Sequence, residues 1–67
     1  MNILLNSNPQ EIADHLTLSL ALQALHIKAI NGIAIAVNNI VVPKNEWESY
    51  LLKPNDTLVI IKASQGG

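Results

Sequence analysis

The segment Ile33-Ala34-Ile35-Ala36-Val37-Asn38-Asn39-Ile40-Val41-Val42-Pro43 decides the fold of this 67-residue chain. Its first five residues alternate large and small apolar side chains, as in a strand with one buried face. Asn tolerates the positive φ that a tight hairpin turn demands at both central positions, so residues 38–39 predict a two-residue turn. Such a turn sets Val37 opposite Ile40. It also sets Ile35 opposite Val42, which gives the hairpin an aliphatic face that a helix would cover.

The segment before this hairpin predicts a helix, although its apolar pattern is ambiguous. Residues 16–25 fit the period of a strand as well as that of a helix. Residues 18–25 contain no β-branched side chain, and that propensity favours the helix. Thr17 can accept a hydrogen bond from a free N–H of the first turn, and His26 suits the negative end of the helix dipole. We predict a helix over residues 18–26.

The N-terminal residues predict two further strands. Residues 1–6 are a short apolar run that ends in a cluster of turn formers, residues 6–9. A second run, residues 11–16, places Ile12 and Leu16 on one face. We expect it to form a short strand antiparallel to the first.

The C-terminal third predicts a crossover that leads into a buried strand. Trp47, Tyr50 and Leu51 have the i, i+3, i+4 spacing of a short helical turn over residues 45–52. A lone large aromatic in an aliphatic domain usually fills the core, so we expect Trp47 to pack there, with contact to a partner as the alternative.

Residues 53–56 predict a turn, and residues 57–62 predict a strand that is apolar on both faces and therefore central in its sheet. The element order is β-β-α-β-β-(turn)-β. It predicts an α+β domain spanning residues 1–67, in which one main helix packs on one face of a mixed sheet of four to five strands.

Composition excludes several classes of function. The chain has no cysteine, a formal net charge of −1 and no basic cluster, and its four cationic side chains are all lysines. Disulfides and thiolate metal sites are therefore excluded, and nucleic-acid binding is not expected. No apolar run approaches the roughly 20 residues that cross a bilayer, and the start does not read as a signal peptide. We expect a cytoplasmic protein without a membrane partner.

No group of side chains in the sequence makes a catalytic or metal site. Asp14 adjoins His15, and Glu46 lies near Glu48, but neither pair has a supporting motif, so we expect solvated surface groups. His15 and His26 have no ligating partner at helical spacing. The chain is therefore not expected to be an enzyme by itself.

The end of the chain is the most distinctive feature for function. Gly66 and Gly67 are two of only three glycines. Without a Cβ they can pass through a channel too narrow for other residues. Residues 63–67, expected to form a flexible tail, would reach roughly 17 Å when extended. The alternative is a frayed polar end without a function.

Taken together, these stretches resemble the ThiS family of β-grasp, ubiquitin-like sulfur carriers over essentially the full length. The matching parts are Thr17-Leu18, the hairpin 35–43, Trp47, the segment 52–56, and the strand 57–62 that runs into the diglycine. The chain departs from the family pattern at the hairpin turn and at Asn55, where Gly is commoner, and at Gln65, which is larger than usual.

The resemblance implies a sulfur carrier of thiamin (thiazole) biosynthesis. The Gly67 carboxylate would be adenylated by a ThiF-like enzyme that consumes ATP, and then converted to a thiocarboxylate with sulfur from a donor such as a cysteine desulfurase. A ThiG-like thiazole synthase would take the sulfur, and this chain would hold no cofactor. Related carriers for molybdopterin or tRNA thiolation, and a β-grasp interaction module without such chemistry, are the alternatives.

The partner-binding residues that we predict lie in the tail and on the sheet face away from the helix. If that face is exposed it is the natural docking surface, and otherwise its residues are simply core. The predicted set is Gly66, Gly67, Gln65, Ile61, Val59 and Leu4.

Overall fold

The computed structural model describes residues 1–27 and 32–62. Its elements are β1 (Asn2–Leu5), β2 (Asn8–Glu11), α1 (Leu18–Ala24), β3 (Ile33–Val37), β4 (Ile40–Val42), a 3₁₀ turn (Lys44–Glu46) and β5 (Thr57–Lys62). The strands form one sheet in the order β2-β1-β5-β3-β4. β5 runs parallel to β1 and antiparallel to β3, so the sheet is mixed and its last strand is central, as predicted.

The β3–β4 hairpin is confirmed in its bounds and its register. Val37 pairs with Ile40 and Ile35 with Val42, and Asn38 and Asn39 have φ values of 52° and 71°. One expectation for this hairpin is wrong. The Ile40 side chain is 70% exposed, because it lies at the turn end of the edge strand and outside the buried cluster.

The second strand lies earlier in the chain than the sequence predicts. β2 spans Asn8–Glu11 and not residues 11–16, although its antiparallel pairing with β1 is confirmed. Asn6 and Ser7 both have positive φ and form a two-residue turn, which brings Asn8 directly opposite Leu5.

β2 accommodates Pro9 because of the register of this hairpin. Pro9 pairs with Leu4, whose N–H donates to the carbonyl oxygen of Asp56 on the other side of β1 (3.0 Å). The Leu4–Pro9 pair is therefore one that exchanges no ladder hydrogen bonds, and the missing N–H of proline costs nothing there.

The start of α1 has every one of its early amides bonded. The Thr17 hydroxyl accepts from the Leu20 N–H (3.3 Å), as the sequence predicts for an N-cap. The Leu18 and Ser19 amides donate to the carbonyl oxygens of Tyr50 (2.7 Å) and Trp47 (2.9 Å). The crossover between β4 and β5 thus caps the helix through main-chain contacts.

The end of α1 comes earlier than the sequence predicts. The helix stops at Ala24 and does not reach His26, which has a φ of 60°. The His26 amide donates to Gln23 O and the Ile27 amide to Leu22 O, the paired bonds of a Schellman ending. His26 takes the left-handed position that glycine usually fills, so it terminates the helix and does not lie within its last turn.

The core lies between α1 and one face of the sheet. Its buried members come from every strand except β2, from the segment between β2 and α1, from α1 and from the crossover: Ile3, Ile12, Leu18, Ala21, Leu22, Ile35, Val37, Val42, Trp47, Leu52 and Leu58. Trp47 is only 4% exposed, and its Nε1–H donates to Val42 O (2.9 Å). The prediction that it packs in the core is confirmed. The helical turn predicted over residues 45–52 is a shorter 3₁₀ turn, Lys44–Glu46, which ends before Trp47.

Candidate docking face and the ends of β5

The sheet has one face covered by α1 and one open face. Successive side chains of a strand point to opposite faces, so the burial of Leu58 under α1 directs Val59 and Ile61 to the open face. Leu4 lies on that face as well, since its neighbour Ile3 is buried. Leu4 is 38% exposed and Ile61 47% exposed, while Val59 is half-buried.

The three sheet residues predicted for docking therefore share one face, and that face carries further apolar residues. Val41 pairs with Ala36 and Pro9 with Leu4, and both Val41 and Pro9 are exposed. A shallow depression lined by Asn2, Leu4, Pro9 and neighbouring atoms lies at its β2 side. We call the set Leu4, Pro9, Ala34, Ala36, Val41, Val59 and Ile61 the open face.

Sequence reasoning missed the Val41 and Pro9 part of this surface. Val41 follows directly from the hairpin register, because the residue next to the buried Val42 must point to the opposite face of the sheet. Pro9 could not be placed without the correct bounds of β2.

A hydrogen-bond network holds the start of β5. The Asp56 side chain is buried and accepts from Asn38 Nδ2 (3.0 Å) and from the Lys53 N–H (2.8 Å). Asn38 Oδ1 in turn accepts from the Thr57 N–H (3.0 Å), while its own N–H donates to Thr57 O (2.8 Å). The hairpin turn is thereby joined to the loop from which β5 begins, where Asn55 has a φ of 70°.

Asn6 makes a corresponding pair of bonds with β5 farther along. Its N–H donates to Leu58 O (2.9 Å), and its Oδ1 accepts from the Ile60 N–H (2.9 Å). Asn6 and Asn38 are each the first residue of a two-residue turn with left-handed φ. In a regular ladder the main-chain carbonyl oxygen of each Asn would accept the hydrogen bond from the β5 amide. The turn directs that oxygen away from β5, and the side-chain oxygen of the same residue accepts the bond in its place.

The charged side chains singled out in the sequence lie apart from this surface. Asp14, His15, Glu46 and Glu48 are exposed, as expected for solvated groups. Asp14 pairs with the Met1 ammonium group (2.9 Å), and that hydrogen bond, followed by its charge, holds the pKa of the Asp14 carboxyl below its usual value.

The described part of the chain contains neither a metal-binding cluster nor a membrane-spanning helix. Residues 1–27 and 32–62 hold no group of three His, Asp or Glu side chains that could bind a metal ion. In the same residues no helix has the length and apolar character needed to cross a bilayer.

The tail residues Gln65, Gly66 and Gly67 lie outside the described residues. The prediction that residues 63–67 form a flexible tail concerns residues outside the described part of the chain, so it stays a prediction. The docking roles of Leu4, Val59 and Ile61 stay a prediction, which rests on their common face and on the position of β5 shortly before the diglycine in the sequence.

The sheet order, the helix on one face and the central last strand define a β-grasp domain of the ubiquitin-like class. Two solved structures share this fold. The crystal structure of the thiamine biosynthesis protein ThiS from Geobacter metallireducens is 22% identical, with a TM-score of 0.88 over the whole of both chains. The solution NMR structure of a thiamine biosynthesis protein from the same organism is also 22% identical, with a TM-score of 0.77 over all of this chain and 88% of that one.

A search of curated proteins found no match. The ThiS family model, in contrast, matches residues 3–67, which is almost the entire chain. The chain belongs to the ThiS family.

Proposed function

We propose that this chain is a sulfur carrier of thiamin biosynthesis and that the Gly67 carboxylate is the group that carries sulfur. The observation that supports this most directly is the central position of β5, whose last described residue, Lys62, lies five residues before Gly67. Family membership over residues 3–67 includes this segment. The domain would serve to present one carboxylate to its partners.

The chemistry requires partners, because a carboxylate is a poor electrophile. Its negative charge repels nucleophiles, and its leaving group would be oxide. A ThiF-like enzyme would transfer AMP from ATP to the Gly67 carboxylate with release of pyrophosphate, and the resulting acyl-adenylate has AMP as a good leaving group. Sulfur derived from a persulfide donor, such as a cysteine desulfurase, would then displace AMP to leave the thiocarboxylate.

In this proposal the partner enzymes carry out catalysis, and this chain supplies the carboxylate that is modified. ATP and any metal would belong to the activating enzyme, so this chain would act as its co-substrate and not as a catalyst. A ThiG-like thiazole synthase would then receive the sulfur. We place these reactions in the cytoplasm, where ATP is available.

The open face is the surface that we propose for docking. Leu4, Ile61 and Val41 expose apolar area on the side of the sheet that α1 leaves uncovered, and Ile61 lies one residue before the end of β5. An apolar surface of this kind attracts a complementary apolar surface, and binding through it depends little on ionic strength.

Intact-mass measurement tests the carrier function. The protein incubated with ATP, the activating enzyme and a sulfur donor is expected to gain about 16 Da, the difference between sulfur and oxygen. A chain without Gly67 is the control and should gain nothing. No gain for the full chain, together with full activity of the truncated one, would overturn the proposal.

Matched substitutions test the docking surface separately. Ile61→Gln removes an apolar side chain from the open face, while Leu20→Gln changes a side chain of nearly equal exposure on α1 (47% and 48%). We expect Ile61→Gln to raise the KM for the carrier in the activating reaction about tenfold and Leu20→Gln to leave it within twofold. Equal effects of the two substitutions would place the docking surface elsewhere.

A carrier for molybdopterin or tRNA thiolation would show the same mass gain but deliver its sulfur to a different acceptor, so purification of the acceptor complex separates these pathways. A module without carrier chemistry would keep its partner and its function after deletion of Gly66 and Gly67.

A further inference from the structure

We infer that Asn6 is a positioning residue for the reacting end of the chain: its side chain holds the last part of β5, the strand that directly precedes residues 63–67 in the sequence. This rests on the proposed carrier function, and it adds a residue that neither the family match nor the sequence assigned.

The two edges of β5 are held to different extents. On the β3 side the pairing covers every residue of the strand after Thr57, from Leu58 with Val37 to Lys62 with Ile33. On the β1 side the strand pairing covers only Thr57 with Leu4 and Leu58 with Leu5. β1 ends at Leu5 because the chain turns into the β1–β2 hairpin there.

Asn6 continues the hydrogen bonding between β5 and the β1 side of the sheet beyond Leu5, where β1 ends. In a continuous parallel ladder the Ile60 N–H would donate to a main-chain carbonyl oxygen of the neighbouring strand. The left-handed φ of Asn6 (48°) begins the turn, and the side-chain Oδ1 accepts from Ile60 in its place at 2.9 Å. The contact lies two residues before the end of β5.

The residue type at this position has two requirements at once. It must adopt a left-handed φ, which Asn, Asp and Gly do most readily, and it must carry a short side chain with an acceptor oxygen, which only Asn and Asp of these do. Asn6→Gly therefore keeps the turn but removes the hydrogen bond to the Ile60 amide. Asn6→Asp keeps the turn and this hydrogen bond.

Asn38 offers a matched control within the same strand. It has the same left-handed turn position and the same side-chain bond to a β5 amide, but it holds Thr57 at the opposite end of the strand. Asn38→Gly should reduce stability, since it also removes the donor to Asp56, without loosening the end of β5 that leads to Gly67.

The effect on the reaction follows from the cost of ordering the chain. When the end of β5 is loosely held, it must lose conformational entropy each time the carrier binds the activating enzyme. This loss weakens binding without changing the rate of the chemical step. For the loss of one exposed hydrogen bond we expect the KM for the Asn6→Gly carrier to rise roughly three- to tenfold with kcat within about twofold. Asn6→Asp should restore the KM of the original chain.

The experiment combines two readouts for the original chain and the three variants, at a temperature where all are folded. Hydrogen exchange followed by NMR should show faster exchange of the Ile60 amide in Asn6→Gly, protection in Asn6→Asp, and no change at Ile60 in Asn38→Gly. Steady-state adenylation of each carrier should show the raised KM for Asn6→Gly alone.

The outcomes separate this inference from the carrier function. If the original chain gains the thiocarboxylate mass but Asn6→Gly keeps its KM, the positioning role is wrong and the carrier function stands. An equal rise of KM in Asn38→Gly would also overturn it, because the effect would then be one of general stability. No modification of the original chain would overturn the carrier function and this role with it.

Discussion

Replacement of Trp47 by Phe tests how the crossover closes the core. Trp47 is almost fully buried, and its indole N–H donates to Val42 O at the end of β4. Its main-chain carbonyl oxygen accepts from the Ser19 N–H of α1. One residue thus joins the hairpin, the crossover and the helix, and Phe keeps the aromatic ring but not the side-chain hydrogen bond.

The expected loss has two parts. Removal of the indole donor leaves the buried Val42 carbonyl oxygen without this partner and costs about 1–2 kcal/mol. The smaller ring leaves a partly filled space, which adds about 1 kcal/mol. We expect the free energy of unfolding to fall by about 2–3 kcal/mol, out of a total of roughly 3–10 kcal/mol for a chain of this length. Trp47→Ala should lose about 3–5 kcal/mol and leave a marginal fold.

Urea unfolding followed by far-UV circular dichroism measures these differences, since tryptophan fluorescence is lost in both variants. Leu51→Ala is the control, because Leu51 lies in the same crossover but has a side chain that is 52% exposed. Its cost should be below about 1 kcal/mol. A Trp47→Phe protein within about 0.5 kcal/mol of the original would refute the assignment of Trp47 as the residue that closes the core.

Three further measurements address the helix cap, the network at the start of β5 and the N-terminal ion pair. Thr17→Ala should lower the free energy of unfolding by about 1 kcal/mol, because the Leu20 amide loses its acceptor. Thr17→Ser keeps the hydroxyl and should leave the free energy of unfolding unchanged. Equal unfolding midpoints for the Ala and Ser variants would count against the cap. Asp56→Ala should lower the free energy of unfolding, measured with heat or urea, by about 3 kcal/mol, because it removes a buried carboxylate that accepts two hydrogen bonds. A loss below about 1 kcal/mol would show that the network contributes little to stability. The pKa of Asp14 is lowered in the folded chain, so its contribution is present above the usual value of 3.8 and is lost as the pH falls through the lower folded pKa. The stability difference between the original chain and Asp14→Asn should therefore be constant near neutral pH and shrink in acid below that value, and a difference that is unchanged there would contradict the ion pair.

Local signals were sufficient wherever one physical requirement dominated a short segment. The bounds of β3, β4 and β5 agree with the sequence prediction because alternating or β-branched apolar residues lie next to turn residues that tolerate left-handed φ. The start of α1 agrees because Thr17 caps it and β-branched residues are absent from the segment that follows.

The errors occur where tertiary contacts decide. β2 has no strand-forming residues, and it is a strand because the turn at Asn6 and Ser7 brings it alongside β1. α1 ends before His26 because His26 adopts the left-handed position of a Schellman ending, which glycine usually fills, so the local sequence lacks the usual stop signal. Ile40 is exposed because the covered face does not extend to the turn end of the edge strand.

The sequence by itself determined the β-grasp order, the aliphatic core and the diglycine at which we propose the chemistry occurs. These follow from period, propensity and residue type, which act over a few residues at a time. Only the tertiary structure decided which apolar residues share the open face and which side chains hold the two ends of β5. Asn6 contacts a strand 54 residues away in the sequence, and no local pattern carries information about that pairing. It becomes visible once the sheet has placed β1 beside β5, because a turn that ends one strand leaves the central strand in need of another acceptor.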